Sequence, residues 1–140
     1  MITPYFIVGI SIVLLFSREL NALLLGDESA MHLGIEVGKV TRLLIIAASL
    51  LTASAVSSGG IIGFVGLVIP HVLRMLLGPD NLRLVPASLT LGATVMMAAD
   101  ALARTIIAPQ ELPVGIITAL FGGPFFVYLL RKYKSESYQL

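Results

Sequence analysis

The sequence predicts an all-α, polytopic helical membrane protein with about five membrane helices and two short cytoplasmic helices. Hydrophobic residues make up 57% of the 140 residues and charged residues 12%, and the mean hydropathy is +0.99. A soluble globular domain carries about 25% charged residues, so this chain lacks the charge that a water-facing surface requires. The apolar residues also form separate segments with polar stretches between them, a pattern typical of a chain that crosses a bilayer repeatedly.

Five apolar segments follow one another along the chain. They cover residues 5–17, 40–56, 67–77, 84–107 and 114–130. A helix needs about 20 residues to cross a hydrocarbon core of about 30 Å, and the second, fourth and fifth segments approach or exceed that length. The first has 13 residues, so we expect it to be part of a helix of a longer polypeptide or the start of a naturally shortened chain. The third is short and follows the glycine-rich residues 59–66.

The basic residues predict the orientation of these segments. If the first segment runs from outside to inside, five alternating crossings place eight of the nine basic residues on the cytoplasmic side and only Arg104 outside. This is the asymmetry that the positive-inside rule describes. The C-terminus is then cytoplasmic. The eight residues on the inner side are Arg18, Lys39, Arg42, Arg74, Arg83, Arg131, Lys132 and Lys134.

The cytoplasmic stretch at residues 20–37 predicts two short helices. Residues 20–25 suit one helical piece, and Gly26 breaks it. Asp27 is a good N-cap for a second piece that runs to Leu33, and Gly34 is a good C-terminal stop. Two half-apolar helices on a cytoplasmic face fit either a docking surface for another protein or helices that lie on the bilayer.

Nothing in the sequence predicts catalysis, a metal site or a cofactor. The chain has no cysteine, and His71 has no second metal ligand near it in sequence, whereas a metal site needs several convergent donors. A structural hydrogen bond is therefore the favoured interpretation of His71. The glycines at residues 59–66 do not form a nucleotide loop, because no Lys-Ser/Thr follows them. The chain also has no basic patch for nucleic acid.

Four motifs together resemble a known family. They are LLLGDESAMHLGIEVGKVTRL from Leu23, GFVGLVIPH from Gly63, DALAR from Asp100 and ELPVGIITALFGGPFF from residue 111. In this order and spacing they resemble the C-terminal half of the FecCD-type permeases, the membrane subunits of ABC importers for ferric siderophores, haem and cobalamin. Such permeases have ten membrane helices in two pseudo-equivalent halves. The resemblance covers helices six to ten as one membrane domain over residues 1–140, with a cytoplasmic coupling loop at residues 20–37.

The resemblance implies a permease subunit, or its C-terminal half, in a bacterial inner membrane. Its expected partners are a cytoplasmic ATP-binding subunit that hydrolyses ATP, an extracytoplasmic substrate-binding protein, a second permease copy and membrane lipid. Arg104 matches the outer position that docks the binding protein in the cobalamin importer. The alternative is a truncated, non-transporting scaffold that keeps only the assembly surfaces. The residues that the resemblance assigns to ATPase coupling are Leu23, Gly26, Asp27, Glu28, Leu33 and Gly34.

A further set of residues is expected to serve backbone geometry and helix packing. Asp100 and Arg104 are four residues apart and share a helix face, so Arg104 either docks a partner carboxylate or only neutralises Asp100. For Asp100 a structural pair is favoured over contact with the substrate. The residues expected to be structural are Gly63, Gly66, Pro70, His71, Asp100, Pro113, Gly115, Gly122 and Pro124.

Overall fold

The computed structural model describes residues 2–106, residue 110 and residues 112–137, and this part of the chain folds into α-helices joined by short turns, without a strand. The all-α prediction is therefore confirmed. The helices are α1 (Thr3–Leu15), α2 (Ser17–Leu23), α3 (Asp27–His32), α4 (Val37–Gly59), α5 (Val65–Leu77), α6 (Asn81–Ile106) and α7 (Val114–Ser137).

Three of the described helices are long and apolar enough to cross a membrane. They are α4, α6 and the Val114–Lys132 part of α7. Helices α1 and α2 add a fourth span if the 54° bend between them lies within one crossing. Helix α5 has 13 residues, which is less than a full crossing requires. Each of the five predicted apolar segments is thus helical over nearly all of its described residues, while the number of crossings stays a prediction.

A side-chain hydrogen bond lies at the bend between α1 and α2. The hydroxyl of Ser17 donates a hydrogen bond to the carbonyl oxygen of Val13 at 2.9 Å. A serine that bonds the carbonyl four residues earlier competes with the backbone ladder and often bends a helix. Ser17 is almost fully buried. The first of the two short helices begins at Ser17 and ends at Leu23, rather than covering residues 20–25 as predicted.

The turns around α3 depend on two glycines. Gly26 has φ +98° and Gly34 has φ +81°, values that glycine adopts at low cost. Gly26, not Asp27, is the N-cap, and no side chain caps the helix. Asp27 is instead the first helical residue, because the positive φ of Gly26 already ends the preceding turn.

The end of α3 is closed by a paired set of backbone hydrogen bonds. The amide of Gly34 donates to the Met31 carbonyl at 2.9 Å, and the amide of Ile35 donates to the Ala30 carbonyl at 3.1 Å. This pair of bonds defines a Schellman motif. The predicted role of Gly34 as the stop of the second cytoplasmic helix agrees with this geometry.

Small residues bring the helices together. A Cβ added at Gly9 in α1 would lie 2.8 Å from Leu51 Cγ and 3.2 Å from the Ala47 carbonyl oxygen, closer than carbon atoms pack. Helix α5 packs on α6 through Ile69, Leu73 and Leu84. Helix α6 packs on α7 through Ala99, Ala103 and Ile117. Most large apolar side chains face outwards, as expected for a protein whose solvent is lipid.

The orientation can be tested by cysteine labelling. The chain contains no cysteine, so a single introduced thiol reports its own side. We expect Gln110→Cys, at an exposed position between α6 and α7, to react with an impermeant maleimide from outside intact cells. The other residues of the predicted external loop at 108–112 are described only in part, and the predicted cytoplasmic tail at 132–140 is described only to residue 137.

The C-terminal region offers the matched control. A cysteine at Lys134, which is exposed, should react only after the membrane is permeabilised. Reaction of the Gln110→Cys thiol from the inner side alone would overturn the assigned orientation.

Candidate functional site

The connection formed by α2 and α3 presents an exposed surface with apolar and acidic side chains. Leu25 and Leu33 are 68% and 64% exposed. Asp27 and Glu28 lie in the first turn of α3 and are also exposed. Carboxylates at this end of a helix interact favourably with its dipole. The predicted coupling residues thus lie together, on or beside one short exposed helix, while Leu23 is half-buried beside them.

A polar contact that the sequence analysis missed ties this connection to α6. The side-chain amide of Asn21 in α2 donates to Asp80 Oδ1 at 2.7 Å. The carbonyl oxygen of the same side chain accepts from the backbone amide of Asn81, also at 2.7 Å. Asp80 in turn accepts from the Leu82 backbone amide at 3.0 Å. Asp80 therefore caps α6 in the manner of an N-cap aspartate while it binds α2.

These hydrogen bonds lower the pKa of the Asp80 carboxyl group. The bond from Asn21 contributes most, followed by the bond from the Leu82 amide, because both donors favour the ionised carboxylate. A carboxyl group whose pKa is lowered by folding stabilises the folded state above its ordinary pKa. That contribution is lost as the pH falls through the lowered value. At neutral pH the contact is fully formed.

Residues 60–64 form an irregular segment that lies along α7. The carbonyl oxygen of Ile61 lies against Gly115, where an added Cβ would overlap it. The backbone amide of Gly63 donates to the hydroxyl of Thr118 at 3.3 Å, and that hydroxyl donates to the Gly115 carbonyl at 3.0 Å. A non-helical segment at membrane depth must bury its backbone polar groups against protein. Helix α7 provides one such partner at Thr118.

Phe64 ends this segment in an unusual conformation. Its φ is +63°, which is uncommon for a residue with a side chain. Its ring packs on Phe126 with centroids 6.0 Å apart, and its Cβ lies where a side chain at Gly122 would be. The predicted structural residues Gly63, Gly115 and Gly122 are therefore part of one contact between residues 60–64 and α7.

The remaining predicted structural residues are more dispersed. Pro70 lies inside α5 and has no amide to give to the Gly66 carbonyl. An added Cβ at Gly66 would meet nothing within 4 Å, so no close approach occurs at that glycine. His71 lines a cavity of about 420 Å³ between α5 and α7. Pro124 lies inside α7 and Pro113 immediately before it.

Asp100 and Arg104 form an ion pair near the end of α6. Arg104 Nε lies 2.8 Å from Asp100 Oδ2, and the two side chains are 62% and 42% exposed respectively. The predicted sharing of one helix face is therefore seen directly. In water an exposed pair of this kind contributes about 0–1 kcal/mol. A guanidinium has five N–H donors, so one arginine side chain can bind more than one carboxylate.

The described residues contain no cluster of three or more metal-ligating side chains.

The chain is, by its fold and helix lengths, a polytopic helical membrane protein. Comparison with known proteins gives the family: the model of the FecCD transport family matches residues 1–132, and the chain belongs to that family.

Individual relatives agree with this assignment. The chain is 50% identical over 128 residues to the cobalamin import system permease protein BtuC of Halobacterium salinarum, covering 91% of this chain and 34% of that protein. It is 43% identical over 136 residues to the hemin transport system permease protein HmuU of Yersinia pestis, covering 97% of this chain and 40% of that protein. The chain thus spans between about a third and two fifths of the length of these relatives.

A solved structure shows the same arrangement of helices. It is an inward-facing conformation of a metal-chelate type ABC transporter, with a TM-score of 0.85 and 38% sequence identity. The match covers 94% of this chain and 42% of the other. The helix arrangement is therefore that of part of an ABC transporter.

Proposed function

We propose that this chain is part of the membrane-spanning permease subunit of an ABC importer for an iron-siderophore, haem, cobalamin or related metal chelate. The proposal depends mainly on the continuous family match over residues 1–132, which includes α2 and α3 as well as the membrane helices. The importer lies in the bacterial inner membrane. It works with a cytoplasmic ATPase, an extracytoplasmic binding protein and a second permease copy. Only the ATPase hydrolyses ATP.

The test is uptake by the reconstituted importer. The complete permease that contains this sequence is placed in proteoliposomes with its ATPase and binding protein. Ferric siderophore, hemin and cobalamin are offered separately, and uptake is measured with and without ATP. ATP-dependent uptake of one of them is the expected result. Binding of the ATPase without uptake of any of the three would instead support the alternative of a non-transporting scaffold.

The α2–α3 surface supplies the coupling contact in this proposal. Exposed apolar side chains beside the exposed Asp27 and Glu28 suit a protein surface that offers basic groups better than they suit a negatively charged membrane surface. We therefore expect Asp27→Lys with Glu28→Lys in the complete permease to reduce uptake about tenfold or more, because like charges across an interface cost several kcal/mol. Membrane insertion should be unchanged, and ATP hydrolysis should no longer be linked to uptake.

A nearby pair provides the control. Lys39 forms an exposed ion pair with Glu36 outside α3, so Lys39→Gln changes the charge on the same cytoplasmic side, beyond the coupling loop, without altering α3. This control should keep normal uptake. Normal uptake in the Asp27 and Glu28 variant would show that α3 lies on the bilayer instead of in the ATPase.

A further inference from the structure

Asn21 uses both ends of its side-chain amide to hold α6. Its Nδ2 donates to Asp80 Oδ1, and its Oδ1 accepts from the Asn81 backbone amide, each at 2.7 Å. The two bonds connect residues 59 and 60 positions apart in the chain. One of them engages a charged group, and such bonds are stronger than neutral ones. The planar amide therefore fixes both the distance and the orientation between α2 and the start of α6.

The two helices that Asn21 joins, α2 and α6, also connect α3 with α7. Helix α2 is followed within three residues by α3, and the turn between them is closed by backbone bonds from Leu25 and Gly26. Helix α6 runs from Asn81 for 26 residues and packs on α7 near its far end through Ala99 and Ala103. Pro86 lies inside α6 and removes one bond of its backbone ladder. The helix nevertheless continues from Asn81 to Ile106, so its first turn and its far end belong to one element.

Apolar contacts alone would hold the junction, meaning the contact between α2 and the first turn of α6, less firmly. Side chains that touch only through van der Waals contact can slide along one another, whereas two hydrogen bonds from one short side chain allow little displacement. Asn81 is buried, so water cannot readily take the place of Asn21 as the acceptor of its backbone amide. Asp80 also caps α6, which makes the helix end itself part of the junction.

We propose that Asn21 is a positioning residue that transmits movement of the α2–α3 connection to α6. The role rests on the proposed function, in which the ATPase binds α3. A displacement of α3 moves α2, and the Asn21 amide moves the first turn of α6 with it. Without these two bonds the cytoplasmic connection still binds the ATPase, but α6 no longer follows it.

The test measures substrate taken up per ATP hydrolysed in the reconstituted complete importer. Asn21→Leu keeps the size of the side chain but removes both hydrogen bonds. We expect this ratio to fall about fivefold or more. A factor of about five is the lower end of the range usual for energetic coupling between two sites. Asn21→Asp should lower it further, because it places a second carboxylate against Asp80.

A double variant separates the hydrogen bond from the fold. Asn21→Asp combined with Asp80→Asn exchanges donor and acceptor, so an amide again faces a carboxylate across the junction. The new carboxylate can still accept from the Asn81 amide. Asn is about as good an N-cap as Asp but lacks the negative charge that favours the start of a helix, so the ratio should recover in large part but not fully. A merely structural role would change protein yield and thermal stability without this pattern in the ratio.

Arg83→Gln is the matched control. Arg83 Nε lies 3.9 Å from Asp80 Oδ2 and its side chain is 77% exposed, so the variant changes the charge beside Asp80 but leaves both Asn21 bonds. It should keep the parent ratio. If Asn21→Leu keeps the ratio of uptake to ATP hydrolysis of the parent importer, or if the double variant does not restore that ratio, the positioning role is overturned. Absence of ATP-dependent uptake in the parent importer itself refutes the proposed function, and the positioning role fails with it.

Discussion

Gly122→Ala should lower the free energy of unfolding by about 1–3 kcal/mol, the usual cost of overpacking, whereas Gly123→Ala should not lower it. A Cβ at Gly122 would overlap the Cβ of Phe64, while a Cβ at Gly123 would meet nothing within 4 Å. Both glycines lie in the interior of α7, so both gain the same helix propensity from alanine, up to about 1 kcal/mol. The difference between the two variants therefore measures the contact with Phe64.

Two changes at Phe64 identify the atoms in conflict. Phe64→Ala removes the ring that packs on Phe126 but keeps the Cβ, so Gly122→Ala should remain costly in that background. Phe64→Gly removes the Cβ as well and accepts the φ of +63° without strain. Gly122→Ala should then be nearly neutral. This non-additivity is the signature of a direct contact.

Unfolding in detergent, followed by circular dichroism or by a thiol-reactive dye on a buried reporter cysteine, gives the required stabilities. Equal losses at Gly122 and Gly123 would contradict the packing of residues 60–64 on α7. So would a cost at Gly122 that is the same in all three backgrounds of residue 64.

The sequence could predict this contact only in part. Gly115 and Gly122 are seven residues apart, so they share a face of α7, and their lack of side chains indicates that something approaches that face closely. Nothing local shows that the approaching segment is residues 60–64, because the partners are more than fifty residues apart in the chain. The positive φ of Phe64 was also beyond prediction, since a residue with a side chain rarely adopts it.

Local rules succeeded at two local features and failed at another, since the N-cap of α3 is Gly26 and not Asp27. Gly26 and Gly34 were predicted to break the cytoplasmic connection, and both have positive φ. Asp100 and Arg104 were placed on one face from their spacing, and they form an ion pair. Asn21 was missed because a single polar residue in a short helix forms no pattern, and its significance depends on a partner 59 residues away.

Arg104→Ala should weaken association of the complete permease with its binding protein about tenfold, as expected for a charge-assisted bond worth about 1.5 kcal/mol. The residue lies near the end of α6 with 62% of its side chain exposed, and in the proposed importer its guanidinium binds a carboxylate of the docked binding protein. The loss should be smaller in high salt, because exposed charges are screened. Arg83→Ala, which removes a similarly exposed arginine of the opposite end of α6, should leave the affinity unchanged.

Stability measurements on the same variants distinguish docking from simple neutralisation of Asp100. The pair is exposed on both sides, so Arg104→Ala should change the free energy of unfolding by no more than about 1 kcal/mol. Arg104→Ala combined with Asp100→Asn should then lose as much affinity as the single variant, because the docking charge is absent from both. The opposite pattern would remove the docking role: affinity unchanged, stability clearly reduced by Arg104→Ala, and stability restored by Asp100→Asn. In that case the guanidinium would serve only to keep a carboxylate paired near lipid, where an unpaired charge is costly.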